Sequence, residues 1–406
     1  MSLLSKELVY ALILMLGAMN FGWILGYPSP AIPDIRDKYM PNITDSQSQI
    51  FNAISSLFAI SGPFLSNTLL GFMGRRPATF VIGFLSFVFW ILQTTFTPET
   101  FWVAIVVRSI LGSLMGACSS LIPLYIVEIA PPQYSGFFGS LNQLGIAFGI
   151  FMCFLLGTWY GWKTLCYIAA AQCVLLCILV WLVPETSSNS SEKEESSPTE
   201  SICQAEHLPS LFIGMLLMFF QQFSGVNAIL TNLTDLFVAA HVEIKSGIAS
   251  AIAASAQVIS VFIGGSLMDK LGRKKIWIIS LSGISGSLLL YSLTMKITMS
   301  SWIPIISVFA FLLFFGLGAG PIPWFIVPEL FPSSLRAKAS SITASTNWLC
   351  AFSVIFLFKA MVKSLTQFGS FIVFMIIAAA GSIFGVLYIQ NPKNEYQPIE
   401  HADSMN

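Results

Sequence analysis

The chain has 406 residues, of which 55% are hydrophobic and only 9% are charged, and nineteen basic side chains balance nineteen acidic ones. Soluble proteins carry about 25% charged residues, so this composition cannot solvate the surface of a soluble enzyme. It also excludes a disordered protein, and the lack of a basic excess excludes a nucleic-acid binder. A polytopic membrane protein is the class that remains.

Long apolar segments follow one another along the chain, each long enough to cross a bilayer as a helix of about 20 residues. The predicted spans 1 to 12 are 8–27, 47–70, 78–96, 102–125, 137–157, 163–183, 209–237, 247–268, 275–295, 302–327, 337–361 and 367–390. Barrel strands would instead show alternating segments of about ten residues. We therefore predict an all-α membrane fold of twelve transmembrane helices, without a cleavable signal peptide.

A polar stretch rich in Ser and Glu divides the spans six and six. We predict an N-terminal six-helix bundle at 1–184, a cytosolic linker at 185–208, a C-terminal six-helix bundle at 209–392 and a cytosolic tail at 393–406. Short motifs also repeat between the halves: Gly-Arg-Arg at 74–76 matches Gly-Arg-Lys at 272–274, and Glu-x-x-Pro at 128–131 matches the same pattern at 329–332. The repetition indicates two parallel six-helix repeats, an architecture of transporters.

The basic residues predict the orientation. With a cytosolic N-terminus, eleven Lys and Arg residues fall on the inner side and seven on the outer side. The positive-inside rule then places both termini and the linker in the cytosol, and we expect a multi-pass protein of the plasma membrane. Asn42, in an Asn-Ile-Thr triplet, would lie in the first outer loop as an N-glycosylation acceptor, unless the triplet arose by chance.

Ionisable groups are scarce inside the spans. All nineteen carboxylates fall in loops or near span ends, and no histidine lies deep in a span. A proton-coupled transporter needs a titratable group in its pathway, so this pattern favours facilitated, uncoupled transport. Arg108 is the exception within span 4; it is either a gating residue or a structural arginine held by backbone carbonyls. The cysteines are expected to pack as small hydrophobic side chains, and no metal or cofactor is expected.

Amides and indoles occupy the span interiors instead. The predicted substrate-binding residues are Gln143, Gln221, Gln222, Asn227, Gln257, Trp324, Asn347 and Trp348. An unpaired amide facing lipid costs several kcal/mol, so these groups must face the bundle interior, where bonds between helices are their alternative role. Amides donate and accept hydrogen bonds, and indole faces suit the C–H faces of a sugar ring. The array predicts a neutral polyhydroxylated ligand.

Two spans carry signals of a broken helix. Gln222 and Asn227 lie about 140° apart on an ideal helix, so they share a face only if Gly225 permits local unwinding. Pro321 and Pro323 interrupt span 10, and a break inside a membrane is tolerated only where it is buried or faces a cavity. We predict a hinge beside the transport pathway at these prolines.

Charges of both signs at the inner span ends predict a gate on the cytosolic side. The predicted gating residues are Arg108, Glu128, Asp269, Arg273, Glu329, Arg336, Pro321 and Pro323. Ion pairs there would form as the inner gate closes and break as it opens. Ordinary positive-inside flanks are the alternative, but they do not account for the acidic partners.

Four segments carry a resemblance to the sugar porters of the major facilitator superfamily, near the facilitative glucose transporters and the trehalose-transporter-like group. They are 21–30, Gln-Gln-Phe-Ser-Gly-Val-Asn at 221–227, 269–274, and 320–332 with its Pro-Ile-Pro-Trp. The resemblance covers roughly residues 8–390. It implies the major facilitator fold of two parallel six-helix repeats, transport by alternating access, and a sugar site at the eight residues named above.

The chain also departs from the pattern that the resemblance implies. Ile24 stands where proton-coupled relatives carry an Asp, which supports a uniporter. Thr231 and Asn232 replace paired tyrosines that close the outer gate in relatives. Charged residues of the left inner gate are replaced by Gly71, Phe72 and Ser135. Gating or substrate size is therefore expected to differ.

Together these observations predict facilitative transport of a neutral sugar by alternating access, with a hexose such as glucose as the leading candidate. Trehalose, inositol or another polyol stays open as the alternative substrate. A sugar sensor that binds without transporting is the alternative from another class. The expected partners are a small neutral sugar or polyol and the lipid bilayer, with no nucleic acid, and the chain is expected to work as a monomer rather than as an enzyme.

Overall fold

A computed structural model describes residues 2–131, 134–186, 202, 204–297 and 299–389, and the regular structure in these ranges is entirely helical. The first half contains α1 (Ser2–Gly26), α2 (Pro28–Lys38), α3 (Asp45–Ala59), α4 (Gly62–Phe72), α5 (Arg75–Gln93), α6 (Phe101–Ile129), α7 (Ser135–Gly157) and α8 (Trp162–Leu179). The second half contains α9 (Leu208–Phe223), α10 (Val226–Thr231), α11 (Leu233–Ala239), α12 (Ser246–Leu271), α13 (Arg273–Leu293), α14 (Trp302–Phe314), α15 (Ile322–Glu329) and α16 (Ser333–Tyr388).

The helices of the described ranges account for twelve crossings. Ten helical stretches are long and apolar enough to span a membrane, and the bent pair α3 and α4 supplies an eleventh. A straight α16 would extend about 84 Å, far more than the hydrocarbon core of about 30 Å. Thr366, with φ 62° and ψ 168°, breaks α16 between predicted spans 11 and 12. The predicted twelve-helix fold is confirmed.

Two features near spans 1 and 2 were not predicted from the sequence. Span 2 is a helix pair bent by 42°, because Pro63 has no N–H for the carbonyl of Ala59 four residues earlier. The chain after span 1 does not enter a loop at once but continues through α2, whose first residue is Pro28. Proline is well tolerated at the first position of a helix, where the N–H would have no partner.

The two halves meet along long helix contacts that leave a central space. Helix α7 of the first half packs against α12, α3 packs against α16, and the end of α1 packs against α10. We call the membrane face at which α1 and α9 begin the linker face, and the opposite face, which carries residues 39–44, the loop face. Helices α1, α6 and α7 line the central space from one half, and α9, α10, α12, α15 and α16 line it from the other.

Candidate functional site

A cavity of about 300 Å³ lies between the halves. All eight residues predicted to bind substrate line it: Gln143, Gln221, Gln222, Asn227, Gln257, Trp324, Asn347 and Trp348. Within the described part of the chain, its lining includes no charged side chain. An uncharged cavity lined by amides favours a ligand that is neutral and rich in hydrogen-bonding groups.

The break in span 7 brings two of these amides together. Helix α9 ends at Phe223 and α10 begins at Val226, with Gly225 between them at φ 92°. This left-handed backbone favours glycine, and a Cβ there would also lie 2.6 Å from the ring of Phe374. The turn lets the Asn227 Nδ2 donate to the Gln222 Oε1 over 2.7 Å. Local unwinding therefore turns both side chains toward the cavity.

The amides form one continuous chain of hydrogen bonds. Beyond the Asn227 bond, the Gln222 Nε2 donates to the Asn347 Oδ1 over 3.1 Å, and the Asn347 Nδ2 donates to the Gln221 Oε1. All four side chains are buried. The chain fixes the amides of α9, α10 and α16 relative to one another before any ligand binds.

Two buried polar atoms on the cavity wall have no hydrogen-bond partner among the described residues. The Gln257 Oε1 is an acceptor and the Trp348 Nε1 is a donor. Leaving such a group unsatisfied costs about 1–3 kcal/mol, so a ligand hydroxyl that pairs with either atom gains that amount. Gln143 and its neighbour Asn142 add half-buried amides on α7.

Aromatic and aliphatic side chains form the rest of the wall. The rings of Phe21 and Trp348 lie 5.5 Å apart at a tilt of 50°. Trp324 is 37% exposed and presents its indole to the cavity, and Leu25 and Ile146 continue the apolar lining. Such surfaces complement the C–H faces of a sugar ring, while the amides address its hydroxyls.

Arg108 lies inside the first half rather than on the cavity wall. Its Nε donates to the Phe51 carbonyl over 2.8 Å, and its Nη2 donates to the Ile24 carbonyl over 3.3 Å. Its guanidinium also lies over the rings of Phe51 and Tyr27, at 4.8 Å and 5.7 Å. This environment matches the structural alternative, an arginine held by backbone carbonyls, and a gating role stays a prediction.

An ion-pair cluster lies at the linker-face end of the first half. The Arg75 Nε and Nη2 donate to the two carboxylate oxygens of Glu128 over 2.9 and 2.8 Å. Glu185 accepts from the backbone N–H groups of Arg75 and Arg76, at 2.6 and 3.1 Å. Glu128, a predicted gating residue, therefore pairs within its own half. The sequence did not predict Arg75 as the partner of Glu128, or Glu185 as the acceptor at the start of α5.

The matching end of the second half is only partly described. The side chains of Asp269, Glu329 and Arg336 lie outside the described residues, whereas Arg273 is half-buried at the start of α13. Pro321 precedes α15 and Pro323 lies in its first turn, after a π-helical turn at Phe315–Ala319. The predicted break in span 10 is therefore present, and its gating role stays a prediction.

Polar contacts join the two halves at the loop face. The hydroxyls of Ser29 and Thr234 lie 3.0 Å apart, and the Asn52 Nδ2 donates to the Asn232 Oδ1 over 3.2 Å. Ion pairs add Arg36 with Asp235 at 3.8 Å and Lys359 with Asp45 at 3.4 Å. These four side-chain contacts between the halves all lie at this face. The conformation is therefore closed at the loop face.

Comparisons with known proteins agree with this geometry. The family model for the "Sugar (and other) transporter" family matches residues 10–204 and 187–405. A facilitated trehalose transporter of Culex quinquefasciatus is 27% identical, and the alignment covers 98% of this chain and 85% of that protein. A facilitated trehalose transporter of Aedes aegypti is 26% identical over 98% of this chain, which spans about half (54%) of its length.

A solved structure shares the fold. The xylose transporter XylE from E. coli, in a partially occluded inward-open conformation, superposes with a TM-score of 0.79 at 19% identity, over 95% of this chain and 100% of that one. Another structure of XylE, described as a major facilitator superfamily proton:xylose symporter, superposes with a TM-score of 0.76 at 20% identity, over 95% of this chain and 96% of that one. The chain belongs to the sugar (and other) transporter family, and it is a multi-pass membrane transporter of the major facilitator fold rather than an enzyme.

Proposed function

We propose that the chain carries out facilitated, uncoupled transport of a neutral sugar, with a hexose such as glucose as the leading substrate. The observation that supports this most directly is the uncharged cavity, where the free acceptor of Gln257 and the free donor of Trp348 lie beside a chain of buried amides. A sugar offers hydroxyls that both donate and accept, together with apolar ring faces. Both complement this wall without any fixed charge.

The groups around Arg108 support an uncoupled mechanism. Its guanidinium reaches the carbonyl of Ile24, an aliphatic residue that cannot take up or release a proton. Among the described residues that line the cavity, no side chain titrates near neutral pH. Coupled transport requires a group that binds and releases a proton during each cycle. The sugar gradient alone therefore drives the flux.

Transport would proceed by alternating access. The loop face is held shut by contacts between the halves, while residues Ser119, Val127 and Gly139 carry the cavity lining toward the linker face. We place the linker face and both termini in the cytosol, with Asn42 glycosylated outside and the protein acting as a monomer in the plasma membrane. The conformation described then faces inward, and rocking of the two halves would expose the site outside.

A disaccharide such as trehalose is the second candidate. The curated relatives named above are facilitated trehalose transporters. Among the polar residues that line the cavity, Gln222 and Asn347 lie farther along α9 and α16 from the linker-face helix ends than Ser119 and Asn142 lie along α6 and α7. Two separated polar groups suit two linked rings, each needing its own hydrogen-bond partners. Inositol or another polyol would use only Gln222 and Asn347.

Uptake into liposomes that contain the purified protein tests the proposal. Labelled glucose should enter with saturation and with preference for the D enantiomer, and empty liposomes provide the control. Competition by trehalose, inositol, xylose and sucrose then ranks the substrates. Preferential inhibition by trehalose would move the assignment to the second candidate. Saturable binding without flux would instead identify a sugar sensor and overturn the transport proposal.

A further inference from the structure

The backbone of span 10 leaves two carbonyl groups without their ordinary helical donors. In the π-helical turn, the Gly320 N–H donates to the Phe315 carbonyl over 2.8 Å, five residues back. Pro323, four residues after Ala319, has no N–H to offer to the Ala319 carbonyl. The N–H of Trp324, four residues after Gly320, donates to the Pro321 carbonyl over 3.1 Å instead.

Gln221, on the neighbouring helix α9, supplies the missing donors. Its Nε2 donates to the Ala319 carbonyl over 2.9 Å and to the Gly320 carbonyl over 2.6 Å. Both hydrogens of this amide are therefore used by the backbone of span 10. Gln221 is only 3% exposed, and its nitrogen cannot donate to a sugar while these bonds are in place.

A second side chain, from another helix, holds the same turn. Ser280 on α13 accepts from the Ala319 N–H over 2.8 Å and donates to the Phe314 carbonyl over 2.6 Å. Ser280 is fully buried and does not line the cavity. The π-helical turn is thus fixed by Gln221, which touches the cavity, and by Ser280, which does not.

We propose that Gln221 is a positioning residue for the break in span 10, linking the sugar site to the hinge through its amide. Its nitrogen holds the Ala319 and Gly320 carbonyls, and its oxygen accepts from Asn347 at the centre of the amide chain. A sugar hydroxyl that engages Asn347 changes the bond that steadies Gln221, and the hinge responds. This inference rests on the proposed sugar transport, and it assigns Gln221 a role distinct from direct sugar contact.

Two matched variants separate this role from direct contact. Gln221→Met keeps the length of the side chain but removes the donors, and Ser280→Ala loosens the same turn from outside the cavity. Both should lower the maximal transport rate several-fold, and both should keep the half-saturating sugar concentration within about twofold of wild type. If Gln221→Met raised that concentration about tenfold while Ser280→Ala left transport unchanged, Gln221 would be a sugar ligand and the proposal would be wrong.

We call the two bonds from the Gln221 Nε2 to the Ala319 and Gly320 carbonyls the clamp. A double-mutant cycle on stability tests the clamp even if the chain transports no sugar. Pro323→Ala restores an N–H four residues after Ala319, so the Ala319 carbonyl regains a donor of its own. The melting temperature lost in Gln221→Met should therefore be partly regained in the double variant with Pro323→Ala. Strictly additive effects of the two substitutions would contradict the clamp. If the wild-type protein showed no uptake while the two substitutions had non-additive effects on stability, the proposed function would be rejected and the clamp would stand.

Discussion

The hydroxyls of Ser29 on α2 and Thr234 on α11 meet across the two halves at 3.0 Å, and the backbone N–H of Thr234 also donates to the Ser29 oxygen over 3.1 Å. Asn52 and Asn232 form a second polar contact between the halves. Small hydroxyls and amides therefore close the loop face, and Asn232 stands at one of the two positions where the resemblance implies tyrosines in relatives. Each contact must break when the loop face opens.

A disulfide at this contact should lock the transporter. Ser29→Cys combined with Thr234→Cys places two thiols where the hydroxyls now touch, so oxidation should hold the loop face shut and abolish net uptake. A reductant should restore it, and each single variant should transport with or without oxidant. Uptake that persists after complete cross-linking, measured by a gel shift after proteolysis between the halves, would show that the loop face need not open.

Burial of the Asp235 carboxyl, which pairs with Arg36, gives the loop face a pH dependence. Burial raises the pKa of the Asp235 carboxyl above its ordinary value of 3.8, against the opposing effects of Arg36 and Lys359. The apolar span ends at Thr231, before the boundary predicted at residue 237, so Asp235 lies beyond it. A carboxyl with a raised pKa contributes stability that is full below pH 3.8 and is lost as the pH rises through the raised value.

Asp235→Asn should remove this dependence. The melting temperature of wild type should fall relative to that of the variant as the pH rises above 3.8, and the two curves should then run parallel at neutral pH. Thermal melts of both proteins in detergent, at matched ionic strength, measure the difference. A difference between wild type and variant that stays constant over the whole acidic range would contradict the raised pKa.

Much of the site was predictable because its signals are local. A buried amide in a span is costly unless it is paired, so Gln222, Asn347 and Gln257 predicted a polar site in the interior. All three line the same cavity. Gly225 between Gln222 and Asn227 likewise predicted a break in the helix. The assignment of these residues to sugar binding stays a prediction.

Other contacts could not be predicted, since they depend on how distant helices meet. Nothing in the sequence around Ser29 or Thr234 indicates that they pair over two hundred positions apart. Gln221 looked like its neighbour Gln222, and only the geometry of the π-helical turn shows that its nitrogen serves backbone carbonyls. Likewise, Glu128 was predicted as a gating residue from its position at a span end, but its partner within the first half depends on tertiary packing.

The pair of Arg75 and Glu128 should contribute to stability rather than to sugar affinity. Its side chains are 10% and 26% exposed, and Glu128→Gln leaves the guanidinium with a weaker partner. We expect a loss of about 1.5–3 kcal/mol in the free energy of unfolding, with sugar affinity unchanged. Lys38→Gln is the control, because that ammonium is 75% exposed in its pair with Asp34 and should change stability by less than about 0.5 kcal/mol. Equal losses in the two variants would reject the assignment.

Gln257→Leu should weaken sugar binding without lowering the stability of the protein. The substitution removes a buried acceptor that has no partner among the described residues, so the melting temperature should stay level or rise. Sugar should lose one hydrogen bond, and the dissociation constant should increase about tenfold, which is about 1.4 kcal/mol. Titration calorimetry and thermal melts measure the two effects. A variant that is destabilised and binds sugar as wild type does would place Gln257 outside the site.

The matched control for that variant is Gln172→Leu. The Gln172 Nε2 donates to the Leu16 carbonyl over 2.8 Å within the first half, and Gln172 does not line the cavity. Its replacement should lower the melting temperature through a lost hydrogen bond while sugar affinity stays at the wild-type value. The opposite responses of the two glutamines would separate a ligand-binding amide from a structural one.

The most direct measurement is the initial rate of labelled glucose uptake into liposomes, with and without an imposed proton gradient. Uncoupled transport predicts saturable, D-selective uptake whose initial rate is the same under both conditions. Net uptake should stop when the internal and external sugar concentrations are equal. Ile24→Asp serves as the comparison, because it introduces a carboxyl beside the carbonyl that Arg108 contacts. Accumulation of sugar above its external concentration by the wild-type protein under a proton gradient would contradict uncoupled transport.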